Sequence, residues 1–448
     1  MMTPLLLLVA AAHAAVLNYP ITKKTLPNGL DLVVIQTPEF KDVLSYNTMV
    51  LAGSGKEQER GKTGLAHLFE HILFRHRYGG KEGGYDEAIN AMGVDNNAWT
   101  WFDITFFHPL TFTSNLDALA ALEAERFMKL DITEKTFKTE AGAVLGEYRR
   151  NASKPGEKLD EVASDLLFPN DPYGHTTMGY YDDVVNMPNA YESAKKFYDT
   201  YYRPNNVVVV VAGDVKAKDI LPRLEAKYKD WKRQEIPPVK IGAPPAKADQ
   251  RVDVPWDAEV APVVWVVYRL PAFKNGSKEG AAAEALNELL VSPAAPLYKK
   301  LRYQKQTVSE LGFEEGAQGF ESAEPRRLTI SAQLYKEKHA SEEVIKDIED
   351  GVDELKTFSA QPGAAALLEK VKSKFRYDFL AGLTSPRKIA STFAWYYRLD
   401  RDPQAVEKLL SSVQALTPAD IDAFARAYFT PQGRAVLTLA YAPAKKGN

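Results

Sequence analysis

Ala194-Lys195-Lys196-Phe197-Tyr198, then Tyr202-Arg203-Pro204, then the apolar run Val207–Val211: this order of helical stretch, aromatic, proline and strand returns near the end of the chain. There it reads Asp422-Ala423-Phe424-Ala425-Arg426-Ala427-Tyr428, Phe429-Thr430-Pro431 and Ala435–Ala440. Each copy closes one half of the chain, which indicates an ancient duplication with a diverged second copy. Between the halves runs Ile236-Pro237-Pro238 through Pro244-Pro245, a composition that makes a semi-rigid spacer. Leu32–Ile35 and Leu44–Leu51 read as strands, the first following the turn signal Pro27-Asn28-Gly29. Leu116-Leu119-Leu122 with Phe127, and Leu367-Leu368-Val371-Phe375-Leu380, carry helical spacing. Neighbouring strands and blocks of helices predict an α+β fold of two related domains, each a mainly antiparallel sheet packed with helices. The expected boundaries are 15–233 for the first domain, 234–250 for the linker and 251–448 for the second.

The 448 residues are 45% hydrophobic and 26% charged, ordinary for a globular chain. Lys+Arg number 56 against Asp+Glu 59, a net charge of −3, so nothing points to nucleic acid or an anionic membrane as partner. Leu5-Leu6-Leu7-Leu8-Val9 and the alanines after it are too short to span a bilayer, which needs ~20 residues. The stretch ends in Ala12-His13-Ala14, a small-x-small pattern, and residues 1–14 are expected to be a cleaved signal peptide. Met1-Met2-Thr3-Pro4 departs from the usual pattern in lacking Lys or Arg. An exported protein, periplasmic or secreted, is the expectation. Cysteine is absent, which excludes a disulfide scaffold and thiol catalysis. Any metal site must therefore be built from His and carboxylate ligands.

Such a site is suggested by Gly64-Leu65-Ala66-His67-Leu68-Phe69-Glu70-His71-Ile72-Leu73-Phe74. Apolar residues at 65, 68, 69, 72 and 73 describe one buried helical face. His67 and His71 are four apart, so their rings project from one side, a turn apart, and can grip one Zn²⁺. Glu70 lies near that side, where a carboxylate can take a proton from water that the metal acidifies to a pKa of ~7. This is the H-x-x-E-H pattern. A mononuclear site wants a third protein ligand and an open position. Thr136–Arg150 reads as a helix carrying Glu140 and Glu147, whose seven-residue spacing returns them to nearly the same face. Among Ala141, Val144 and Leu145, unpaired carboxylates would be costly to bury, and a metal removes that cost.

With these residues the chain resembles the pitrilysin/insulinase family of zinc metallopeptidases, the inverzincins, and especially its two-domain, processing-peptidase-like bacterial members. The resemblance maps His67, His71 and Glu147 as metal ligands, Glu70 as general base and Glu140 as a supporting acid. Gly93-Val94-Asp95-Asn96-Asn97-Ala98-Trp99-Thr100 is similar to the family's G-x-x-N-A-x-T segment, with Asn97, Ala98 and Trp99 as candidate substrate-binding residues. The resemblance further implies one Zn²⁺ per chain, peptide or unfolded substrates, and a chamber enclosed by two chains. Two departures stand out. Arg75-His76-Arg77-Tyr78-Gly79-Gly80 replaces a short glycine-threonine turn. In the second half Arg302 matches a family arginine, but the tyrosine seven residues later is Ser309.

The expected function is a zinc endopeptidase; the alternative is a catalytically silent scaffold subunit. The missing tyrosine suggests a heterodimer with a homologous chain that carries the arginine–tyrosine pair, the alternative being a homodimer. Glu140 could instead be a plain salt-bridge partner, Asn97-Ala98-Trp99 a strand with a packed tryptophan, and Arg302 a surface charge. His76, His108 and His175 are read as structural or solvated.

Overall fold

The computed structural model describes residues 17–169, 171–242, 249–313, 326–335 and 341–442; the expected signal peptide lies outside them. Two sheets carry the fold. The first contains β1 (Ile21–Thr25), β2 (Asp31–Gln36), β3 (Val43–Val50), β4 (Ala98–Thr100), β5 (Thr105–Phe107), β6 (Leu110–Phe112) and β7 (Val207–Gly213). The second contains β8 (Gln250–Trp256), β9 (Val263–Leu270), β10 (Val308–Phe313), β11 (Arg326–Leu334) and β12 (Arg434–Tyr441). The described residues from 229 to 249, which hold most of the expected linker, form neither helix nor strand.

The duplication is visible in the strand order. The first sheet runs β1-β2-β7-β3-β5-β4, with β6 beside β3; the second runs β8-β12-β9-β11-β10. Superimposing β2 on β8 places β7 on β12, β3 on β9, β5 on β11 and β4 on β10. In each sheet one pair is parallel, β2 with β7 and β8 with β12, and the others are antiparallel. The repeated peptides occupy matching places. Helices Tyr191–Tyr201 and Pro418–Tyr428 stop at Tyr202 (φ −86°, ψ 71°) and Phe429 (φ −86°, ψ 72°), just before a proline turn and then β7 or β12. Proline cannot continue a helix, and the aromatic before the turn is buried in both copies.

Each half covers one face of the other's sheet. Along β7, Val207, Val209 and Val211 enter one core while Val208, Val210 and Ala212 enter another, so both faces are buried and the run is apolar throughout. The second of those cores is shared with Phe393, Ala394 and Tyr397 of the helix Pro386–Asp400, which comes from the second half. Reciprocally, Leu159, Ala163 and Leu167 of the helix Pro155–Leu167 pack on Trp265, Val267 and Leu437 of the second sheet. Both exchanged helices begin with proline at their first turn, where its missing N–H costs nothing.

Buried charges reinforce the exchange. Asp103 lies 2.6 Å from Arg326 and 3.6 Å from Arg398, both from the second half, and accepts a hydrogen bond from Tyr173 Oη at 2.9 Å. Burial pushes its carboxyl upward, but the two guanidinium groups and Tyr173 outweigh that and hold it below the usual carboxylate range. Removing this carboxylate takes away the anion that two buried guanidinium groups share. Asp103→Ala should therefore destabilise the chain by ~3–5 kcal/mol. Denaturant unfolding measures it, and a change under ~1 kcal/mol would show that the cluster does not hold the halves together.

Candidate metal centre

The helix Leu65–Leu73 follows from its sequence: Leu65, Leu68, Phe69, Ile72 and Leu73 are all buried in the first-half core, which fixes the helix's rotation. That rotation turns His67 and His71 toward the helix Glu134–Ala152. Thr133 begins this second helix by accepting a hydrogen bond from Thr136 N, and Phe137, Ala141 and Val144 anchor it in the same core. The Glu140–Glu147 face is thereby presented to the histidines.

The two imidazoles lie edge to face, 4.9 Å between centroids. Glu147 Oε2 is 3.7 Å from His67 Nε2 and 3.6 Å from His71 Nε2. These separations are too long for hydrogen bonds. They are near the ~3.3–3.5 Å between neighbouring ligands of a tetrahedral zinc with bonds of ~2.0–2.2 Å. One atom from each of the three residues lies within 4.8 Å of the others. Burial, aided by His71, pushes the His67 pKa down to about 4, which keeps its imidazole neutral with a lone pair available for a metal. The geometry and chemistry of this donor set fit Zn²⁺.

Glu140 is not part of the triangle. Its Oε2 lies 3.6 Å from His71 Nδ1, and its Oε1 accepts a hydrogen bond from Arg75 Nε at 2.9 Å. Burial would push Glu140 up, but His71 and Arg75 outweigh it and hold the carboxyl below its ordinary value. Glu140 in turn raises the pKa of His71. Arg75, which the sequence suggested only as the start of a charged loop, is thus tied to the acid behind His71. Glu70 points into the adjoining cavity. Burial raises its pKa, and Thr100 Oγ1 donates to its Oε2 at 2.8 Å. Thr100 stands in the N-A-x-T-like segment, yet only the packing of β4 beside the helix reveals its contact with Glu70.

The cavity, about 500 Å³, is walled by β4 and its following loop, by both ligand-bearing helices and by Pro155–Leu167. Phe313, Arg326 and Arg327 reach it from the second sheet, so a chain's own second half contributes to the wall. Trp99 lines it; Asn97 and Ala98 do not. The Asn97 side chain accepts a hydrogen bond from the next amide, Ala98 N, at 2.8 Å. As the last strand of its sheet, β4 has one backbone edge with no strand partner among the described residues. Arg302 donates to Val308 O and to the Tyr335 hydroxyl, while Ser309 Oγ donates to Gln333 O. His76 and His175 are buried, and His108 stacks on Phe106.

The family model described as Insulinase (Peptidase family M16) matches residues 32–180, which hold the whole ligand triangle, and the model for the Peptidase M16 inactive domain matches residues 190–364. The chain belongs to the M16 peptidase family. Among family relatives, the protein named zinc protease PqqE of Helicobacter pylori is 27% identical over 90% of this chain and 89% of its own length. A crystal structure of a protease from H. pylori superimposes with a TM-score of 0.84 at 26% identity, covering 94% of this chain and 99% of that one. The structure of the periplasmic protease PqqL from Escherichia coli shares the fold, with a TM-score of 0.72 at 17% identity. It covers 94% of this chain and 48% of that one.

If the triangle is the M16 metal site, metal-stripped chain should take up zinc one-to-one. Arg75→Ala should weaken binding by ~10-fold, and Glu147→Gln, which alters a ligand itself, by ~100-fold or more. Competition with a chromophoric chelator reads both; equal affinity in wild type and Glu147→Gln would remove Glu147 from the ligand set.

Proposed function

We propose that the chain is a zinc-dependent endopeptidase acting on extended peptides or unfolded segments, with His67, His71 and Glu147 as ligands of one Zn²⁺ and Glu70 as general base. The observation that carries this reading is the convergence of two imidazoles and one carboxylate beside a second, non-ligating carboxylate, Glu70, at the edge of one cavity. The relatives named as zinc proteases support it. Bound zinc would supply a Lewis acid that acidifies water and polarises a carbonyl. Glu70 supplies the proton-transfer group. Thr100 holds Oε2, leaving Oε1 to accept a proton from water and later pass it to the departing amine. Glu140, steadied by Arg75, orients His71 through Nδ1.

Substrate would add as a strand along the open edge of β4, where backbone hydrogen bonds hold a peptide without strong sequence choice. In this account Asn97 holds the start of β4 through the Ala98 amide, Ala98 offers its backbone and Trp99 packs against a substrate side chain. Residues 15–233 would be the catalytic domain, 234–250 a linker and 251–448 a non-catalytic homologous domain. The inactive-domain match, residues 190–364, begins inside the first of these and runs across the linker into the last, so the division rests on the spacer and the repeated strand order. The scaffold alternative is disfavoured because no ligand has been lost. Export to the periplasm or beyond is proposed from the apolar N-terminal stretch and from a periplasmic relative. No described helix is long and apolar enough to cross a membrane.

Glu70→Gln should retain zinc and lose at least ~10³-fold in kcat, because the amide keeps the shape and cannot accept the proton. Zinc analysis and peptide digestion followed by mass spectrometry check it; normal turnover by the variant would sink the mechanism. The working unit is proposed to be a heterodimer with a homologous chain carrying the arginine–tyrosine pair, since Ser309 cannot reach as far as a phenol. One lost oxyanion donor costs ~10²–10³ in rate. Adding such a co-encoded homologue should raise kcat by about that factor. Full activity of the lone chain, unchanged by the partner, would favour a homodimer or monomer.

A further inference from the structure

The helix that carries both histidines begins without a cap of its own. Its N-cap residue is Gly64, in the left-handed region at φ 84°, which has no side chain to satisfy the first N–H groups. No larger residue fits there: a Cβ on Gly64 would lie 2.8 Å from Met178 O and 2.9 Å from Met187 Cε. The cap comes from a distance. Glu57 Oε2 accepts Gly64 N–H at 2.7 Å and Oε1 accepts Ala66 N–H at 2.7 Å, with Leu65 N–H adding to them. Burial pushes the Glu57 carboxyl up to about 8, and the three amides, at the end of a helix whose dipole favours an anion, act against that rise.

Glu57 is buried, and no Lys or Arg forms an ion pair with it among the described residues. Its charged-type neighbours include Asp183, which pushes its carboxyl up, and the equally buried His175, whose Nε2 stands 3.8 Å from Oε2 and whose Nδ1 bonds Thr176 O. A carboxylate so deeply buried is costly to keep for stability alone. Its placement explains why it is there. Glu57 closes the short turn Ser54–Lys56, which is pinned to the cavity wall by Ser54 N to Trp101 O (3.1 Å) and Gly55 N to Phe102 O (2.8 Å). On the other side, His175 leads into Thr176, Thr177 and Met178, which line the same cavity. Glu57 therefore joins the first turn of the metal-binding helix, through its side chain, to the turn on the Trp101–Phe102 wall, through its backbone, and His175 packs beside its carboxyl group with no hydrogen bond between them.

We infer that Glu57 is a positioning residue for the metal centre, setting the height of His67 relative to Glu147 and to the substrate edge; the inference rests on the zinc-site reading above. Glu57→Gln keeps the shape but replaces one acceptor oxygen with an NH₂ that cannot bond an N–H. In the full zinc-loaded chain it should weaken zinc binding by ~10-fold and lower kcat by ~10-fold, with KM changed by less than ~2-fold. A side chain that served only folding would lower the melting temperature and leave zinc affinity and kcat as they are, and that result overturns the inference. A wild-type chain that binds no zinc overturns the metal-centre reading and this inference together. Zinc-binding, active wild type with an indistinguishable variant overturns this inference alone. Hydrogen exchange on the wild type tests the cap without any variant. The Gly64 and Ala66 amides should be strongly protected, and exchange at the rate of an exposed loop would refute the cap.

Discussion

Two imidazoles and a carboxylate are held within 4.8 Å of one another without a hydrogen bond joining them. Left alone, such groups would move apart to find water or protons. Here the cores behind the two helices deny them that freedom: Leu68, Phe69 and Ile72 lock one helix, and Phe137, Ala141 and Val144 the other. The polar groups around the triangle serve the same constraint. Arg75 fixes Glu140 behind His71, Thr100 fixes Glu70 at the rim, and Glu57 anchors the helix start. In the proposed enzyme each would hold a side chain ready before metal or substrate arrives. This is preorganisation in the sense that matters for catalysis, since reorganisation at the moment of reaction is what slows it.

The second half has a mechanical part in this. Its helix Pro386–Asp400 closes the face of β3 and β7 opposite the metal helix, and its Trp395 lies 5.9 Å from Trp99 between ring centroids. Arg327, from β11, donates to Ser164 Oγ and to Asp160 on the helix Pro155–Leu167. The cavity is therefore framed by both halves of a single chain. The strand β4 sits between the metal helix, which it meets through Thr100 and Glu70, and Trp395, which it meets through Trp99. A duplicated fold whose halves exchange helices yields a cleft that neither half would form alone.

Much of this was legible because the informative signals are local and periodic. His67 and His71 share a face at four-residue spacing, and Glu140 and Glu147 at seven, so helical geometry alone brings each pair to one side. The repeated aromatic–proline–strand peptide announced the duplication, and the strands it precedes, β7 and β12, hold equivalent central places. The contacts that support the site were not legible. Thr100 is 30 residues from Glu70 and Glu140 is 65 from Arg75, and no periodicity links them. Nor did spacing suggest that β2 and β7 pair in parallel, or that Arg326 and Arg327 reach the cavity from the second sheet. The N-A-x-T-like segment divided on folding: Trp99 and Thr100 line the cleft, whereas the Asn97 side chain is spent on the Ala98 amide.

The central claim is that His67, His71 and Glu147 form one zinc site. X-ray absorption at the zinc edge, on the full chain loaded with one equivalent of metal, tests it most directly. The account predicts about four light-atom ligands at ~2.0–2.2 Å, with the outer-shell scattering of two imidazoles and none from sulfur. A spectrum without imidazole scattering, or with six oxygens around the metal, would contradict it.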